Sequence, residues 1–417
     1  MTHGGSLEAF GSVCRRSTRV LAFPVDTAEI RFLLAPGPHS AMLRTQVSET
    51  TPLFEIAPLP RTLEATLRDA ESARVEVRKS VLRDLVRHSD GEAKHAVLAA
   101  LCRLLRTDSN GEVRALSAIA CADTAQPEVV ADLLDALEDA EPKVTQFVLL
   151  ALGEFRDIGP LALERIIPYR KSALPALRYQ SLSTCYNLHE PGILDRLIEA
   201  TSDSDVEVRW LGWHLLADCC SPSPSMRDPG RSRVKPITED AEPFHSELLA
   251  RLKDPAQVAA LFHSATSDVA RVKAEAAILL LEADAERAFR LVQPLLERPK
   301  GIDPSQFERL ILKFGEVGCR LSMPWLLKHA RRGWLEGRIG WHCLVALAHL
   351  GEGDARQEVV RELESPNARR RSRALVAVRR LRLVEATVLV ERLAKHGAPG
   401  LSQSDAEQVL LELSSGV

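Results

Sequence analysis

The residue types that could do chemistry in this chain fall mainly in one aromatic run and one basic cluster. Trp210, Trp213 and His214 stand together, and at about 100° per residue they project roughly opposite the apolar stripe of Val208, Leu211, Gly212, Leu215 and Cys219. Indole rings off the core line are costly to leave in water, and aromatic side chains dominate binding hot spots. The run therefore points to a partner-binding patch. The competing expectation is a helix packed on several sides that simply buries both rings.

The second group is Arg369, Arg370, Arg371, Arg373, Arg379, Arg380 and Arg382. Guanidinium groups at this density suit a phosphate or an acidic protein, with Arg370, Arg371 and Arg380 as the candidates, or else form a solvated face. An acidic counterpart, Asp132, Asp135, Glu138, Asp139 and Glu141, reads as plain surface. His342 and His349, with Cys343 beside the first, lie seven residues apart on one helix face. Seven residues rise about 10.5 Å, too far for two ligands of one zinc ion at about 2 Å each. No nucleophile motif, phosphate loop, dinucleotide fingerprint or zinc spacing is present. No catalytic residue, metal or cofactor is expected on these grounds.

The elements that must position these residues are helical. Of 417 residues, 45% are hydrophobic but only 5% aromatic, and Leu, Ala, Val, Arg and Glu dominate, which favours helices over sheet. A net charge of -3 argues against a general nucleic-acid coat. The average hides an asymmetry: Thr107 to Pro160 carries 11 acidic and 3 basic residues, whereas Arg361 to His396 carries 10 basic and 4 acidic. The eight cysteines include no CxxC pair and sit mostly among Leu and Ala, as in a reducing, cytoplasmic setting. No run of about 18 apolar residues could span a membrane, and Val20 to Val25 is too short for a signal core. Residues 1–41 differ in composition from the rest and are expected to be a disordered tail or an over-extended gene start.

A line recurs along the chain: a polar turn, then Val-Arg or a similar pair, then an Ala/Leu-rich helix. It occurs at Val77-Arg78, Val113-Arg114, Leu177-Arg178, Val208-Arg209, Val272-Lys273, Glu308-Arg309, Gly337-Arg338 and Ser372-Arg373, with a weaker copy at Val144-Thr145. Successive copies lie 29 to 36 residues apart, with one gap of 64 that is close to two repeats. Asp108, Asp139, Asp203, Asp205, Asp268 and Asn367 sit just upstream of these helices, where a side-chain oxygen can cap the first turn. A second amphipathic helix, such as Val129 to Leu137 or Ala285 to Leu296, lies between copies.

These pairs resemble HEAT repeats, including the bacterial variety also seen in phycobilin lyases, over about residues 60–417. The resemblance implies an all-α, right-handed α-solenoid of about nine to ten antiparallel helix pairs, a protein-interaction scaffold that holds a partner protein or peptide on its concave face. It also implies a ladder of basic residues along the turn ridge: Arg78, Arg114, Arg178, Arg209, Lys273, Arg309, Arg338 and Arg373. The expected organisation is an N-terminal extension over 1–59, repeats over 60–220, a Pro/Ser/Arg-rich loop over 221–243, and repeats with a closing helix over 244–417. Alternatives are a bilin-lyase-like or DNA-glycosylase-like enzyme, the latter on Trp213 and Asp218, and a nucleic-acid module using the C-terminal arginines. The single His189-Glu190 pair is similar to those of HEAT-like di-iron hydroxylases, which carry several.

Overall fold

A computed structural model describes residues 60–155, 158–220, 242–266, 268–330, 338–398 and 401–414. The expected extension over 1–59, and all but the last residues of the expected 221–243 loop, lie outside that set. The described residues form helices joined by turns, with no strand ladder among them.

Residues up to Pro191 make one compact unit and those from Gly192 a second. The first holds α1 (Leu63–Asp69), α2 (Val75–Arg87), α3 (Lys94–Thr107), α4 (Gly111–Asp123), α5 (Val130–Asp135), α6 (Pro142–Leu152), α7 (Pro160–Ile166) and α8 (Pro175–Asn187). The second holds α9 (Ile193–Ala200), α10 (Val206–Cys219), α11 (Glu242–Arg251), α12 (Pro255–Thr266), α13 (Ala270–Leu280), α14 (Ala285–Leu296) and α15 (Pro304–Glu316). It continues with α16 (Met323–Ala330), α17 (Arg338–His349), α18 (Gly353–Arg361), α19 (Ala368–Leu381), α20 (Thr387–His396) and α21 (Gln403–Ser414).

Burial separates two kinds of helix. First helices such as α9 bury one stripe, Ile193, Leu194, Leu197 and Ala200. Second helices are covered nearly all round: α6 buries Val144, Thr145, Gln146, Phe147, Val148, Leu149, Ala151 and Leu152. The reason is the packing order. In the first unit α2, α4, α6 and α8 pack in sequence, each also against its own first helix. In the second unit α10, α13, α15, α17, α19 and α21 do the same. One hairpin cannot bury its apolar face alone, so neighbours share a core. Close approach is local in cause. Gly315 lets α15 settle onto α17, since a Cβ there would lie 2.7 Å from the Ala346 Cα. The closing helix α21 buries Ala406, Val409 and Leu413 and leaves Leu411 exposed.

The turns explain the Val-Arg line. In α2, α4, α8, α10 and α19 the fourth residue after the N-cap is an arginine whose Nη1 donates to the carbonyl six residues upstream. Arg78 bonds the Ser72 carbonyl at 2.8 Å, Arg114 that of Asp108 at 2.8 Å, Arg178 that of Ser172 at 3.0 Å and Arg209 that of Asp203 at 2.8 Å. The remaining guanidinium edge grips the next turn: Arg78 holds Asp108, Arg114 holds Asp139 and Arg209 holds Asp268, each by two bonds of 2.6 to 3.0 Å. The residues expected as caps therefore divide. Asp205 and Asn367 cap their helices, joined by Asn110. Asp108, Asp139 and Asp203 instead bond a turn N–H two residues on.

Two expected rungs are corrected. Arg371 holds the register position in α19, buried and bonded to the Ser365 carbonyl at 2.6 Å, so Arg373 is not the rung. In α15 that position, four residues after the cap Asp303, is Phe307, and Arg309 points elsewhere. Lys273 keeps the register, four residues after Val269. The Arg338 side chain lies outside the described residues.

Candidate functional site

The candidate site is built on the second helices of the second unit. Trp210 lies on α10, half-buried, with the His214 imidazole stacked on it at 4.8 Å and 12°. The Arg271 guanidinium, from the start of α13, covers the indole at 4.4 Å from its centroid, a cation–π contact. Arg271 is fixed there by Glu207, which accepts 2.7 Å bonds from both Nη atoms. One turn separates Glu207 from Trp210, so helix geometry alone brings the carboxylate and the indole to the same side.

Beneath this layer lies Glu275, fully buried on α13. Its Oε1 meets His214 Nδ1 at 2.8 Å and accepts a 2.9 Å bond from Arg309 Nη1; its Oε2 accepts a 2.7 Å bond from the Gln306 amide, which also donates to the Arg271 carbonyl. Nδ1 thus carries the His214 proton and donates to Glu275, and the 3.2 Å approach of Arg309 to that nitrogen is a contact rather than a second bond. Burial alone would push this carboxyl up. The charge and hydrogen bond of His214, then Arg309 and Gln306, outweigh it and hold the group down at about 2.

The same construction recurs further along. Arg373 on α19 lies 4.3 Å over the ring of Trp341 on α17. Arg370 and Arg373 approach one buried carboxylate, Glu362, at 3.7 and 3.8 Å. Arg380 lies against Glu316 on α15, and burial pulls its guanidinium down to about 10. Arg309 and Arg380 each reach a residue two second-helices away, past α13 and past α17 respectively. Axes of packed helices stand about 8–10 Å apart. A side chain bridges alternate helices only where they come within its reach, and the side that carries these contacts is called the inner side.

Residues 98–169 match the family described as HEAT repeats. That stretch carries HEAT repeats. Among solved structures, an engineered protein matches at 14% identity and a TM-score of 0.40 over 84% of this chain and 98% of its own. A mutant of Kap121p matches at 15% identity and a TM-score of 0.37, over 85% of this chain and 40% of Kap121p. Comparison with curated proteins finds no match by sequence.

The expected site residues separate. Trp210 and His214 meet on the inner side, but Trp213 is 0% exposed and belongs to the core. That burial removes Trp213 from any contact surface. Arg371 is a turn rung and Arg380 a largely covered ion pair, so neither is the surface cation expected of it. Arg370 remains at the rim. The acidic run serves the first unit: Asp139 holds Arg114, while Asp132 and Asp135 pair with Arg106 and Arg165. Glu190 is buried against Arg170 at 2.6 Å. No group of three His, Cys, Asp or Glu side chains that could hold a metal occurs among the described residues.

Arg271, Glu275, Gln306 and Trp341 were not singled out by sequence. Glu275 did leave a signal, a lone acid in the apolar run from Val272 to Leu281.

Proposed function

We propose that this chain is a non-catalytic scaffold that captures another protein through the inner side of its second unit, from α10 to α19. The observation that carries the reading is the pair of half-buried indoles, Trp210 and Trp341, each capped by an arginine from the following second helix. Rings held in this way lose little side-chain freedom on binding and present a flat apolar edge beside charged donors, the composition of interface hot spots. The enzyme alternative needs a reactive side chain in a deep pocket. The thiols of Cys185, Cys220 and Cys343 are instead enclosed in the core, where burial pushes each up to about 12, far from a nucleophile's range. Free thiols at these positions support a reducing, cytoplasmic setting. No described helix is long and apolar enough to cross a membrane.

Site-specific photocrosslinking tests the proposal. A benzophenone side chain at position 210 or 341 captures a partner in the host cell, while the same group at Leu161 or Val388, exposed on first-helix surfaces, does not. Equal capture from both surfaces, or none from the inner side, overturns it.

A further inference from the structure

Ion pairs on the inner side share an orientation. In three of them the carboxylate is the deeper partner and the guanidinium the outer one. Arg271 keeps 34% of its side chain exposed over Glu207 at 21%, Arg309 37% over Glu275 at 0%, and Arg373 36% over Glu362 at 8%. An approaching group meets the positive layer first. Each guanidinium carries five N–H donors in a planar fork, and the internal pairs engage only part of that fork. Two of the three, Arg271 and Arg373, are also stacked on indoles, which sets the plane of the fork before anything binds.

We infer that the partner segment clasped by the scaffold is an acidic peptide in extended form, whose carboxylates seat on Arg271, Arg309 and Arg373. This rests on the scaffold reading above and specifies the chemistry of what that surface holds. A nucleic acid fits less well. Arg271 and Arg309 each pair with a glutamate and Arg373 shares Glu362 with Arg370, so most of the field fades well inside a screening length of about 10 Å. A polyanion is recruited by a large uncompensated charge and counterion release, whereas most of this layer is already paired within the protein. A carboxylate making a two-point contact gains from the local positive rim regardless.

Geometry gives the spacing. Arg271 and Arg309 lie on neighbouring second helices, α13 and α15, and Arg373 lies on α19, two further on. At about 10 Å between helices and about 3.3 Å per extended residue, the carboxylates fall about three and then about six residues apart.

The test uses the full-length protein and four fluorescein-labelled probes in anisotropy titrations. They are a twelve-residue Ser/Gly peptide with Asp at positions 1, 4 and 10; the same composition with the Asp residues contiguous; the spaced peptide with Lys for Asp; and a twelve-nucleotide single-stranded RNA. The spaced Asp peptide is expected to bind about fivefold or more tightly than the contiguous one, and to weaken with salt. The double variant Arg271→Gln, Arg309→Gln is expected to lose about tenfold or more in affinity. Should that variant misfold, hydrogen exchange of the unaltered protein decides: the spaced peptide protects the first turn of α13 and the second turns of α15 and α19. Tighter binding of the RNA or the Lys peptide, an affinity indifferent to spacing, or protection elsewhere overturns the inference. If position 210 still crosslinks a partner while the Asp peptide fails to bind, the acidic class is wrong and the scaffold reading stands; loss of the crosslink is what removes the latter.

Discussion

Arg209 and Asp268, 59 residues apart in sequence, are joined by two hydrogen bonds of 2.6 and 3.0 Å. Elsewhere this bond links turns 25 or 30 residues apart. The longer interval holds the segment over 221–241 and α11, and the rung closes across both. Asp268 is only 3% exposed, so removing Arg209 would strand a buried charge. Arg209→Ala is expected to destabilise the protein by about 3 kcal/mol. The double variant with Asp268→Ala is expected to be less damaging than the two single effects added together. Urea unfolding of the four species checks it, and additive effects would deny the coupling.

Glu275→Gln tests the buried cluster through pH. The folded carboxyl lies at about 2, below its ordinary value of 4.5. A group depressed on folding contributes stability that is present above the unfolded value and lost as pH falls toward the folded one. That contribution is roughly 3 kcal/mol at neutral pH. The gap in unfolding free energy between the original protein and the variant is expected to narrow steadily from about pH 5 downward. Denaturant melts at stepped pH measure it, and a gap constant between pH 6 and 3 would contradict the assignment.

The tryptophans should part company. Trp213→Ala empties a core position and is expected to cost about 3–5 kcal/mol of stability. Trp210→Ala removes a half-buried ring stacked by His214 and Arg271 and is expected to cost under about 2 kcal/mol while weakening partner capture. Thermal melts alongside crosslinking yield separate the two effects.

Two glycines make an opposed pair. Gly315→Ala forces a Cβ to within 2.7 Å of the Ala346 Cα and carbonyl and is expected to destabilise by about 1–3 kcal/mol. At Gly353, the first residue of α18, no atom lies within 4 Å of the added carbon, so Gly353→Ala is expected to gain up to about 1 kcal/mol. Chemical denaturation of both variants reads the signs.

The repeat was legible because its chemistry is local. A polar turn, a helix start and an arginine four residues after the cap lie within one window, and Arg78, Arg114, Arg178 and Arg209 each bond the carbonyl six residues back. Register failed where the window was crowded. Arg369, Arg370, Arg371 and Arg373 offer several candidates, and only counting from the cap Asn367 selects Arg371. The inner side was half legible. Trp210 and His214 share a helix, so their neighbourhood is written in sequence. Arg271, Glu275 and Arg309 come from other helices, and their meeting is a product of packing order. A fully wetted glutamate and Glu275 look alike until the helices on either side are in place.

The contacts that vault over a helix have a mechanical consequence. Straightening the second unit would part alternate helices faster than adjacent ones. Arg309 would leave His214, and Arg380 would leave Glu316, before neighbouring helices lost their apolar seams. These side chains therefore act as stays that set the rest curvature and the initial stiffness. Under load in an optical trap they would yield first, giving a soft, reversible extension ahead of the unravelling of any hairpin.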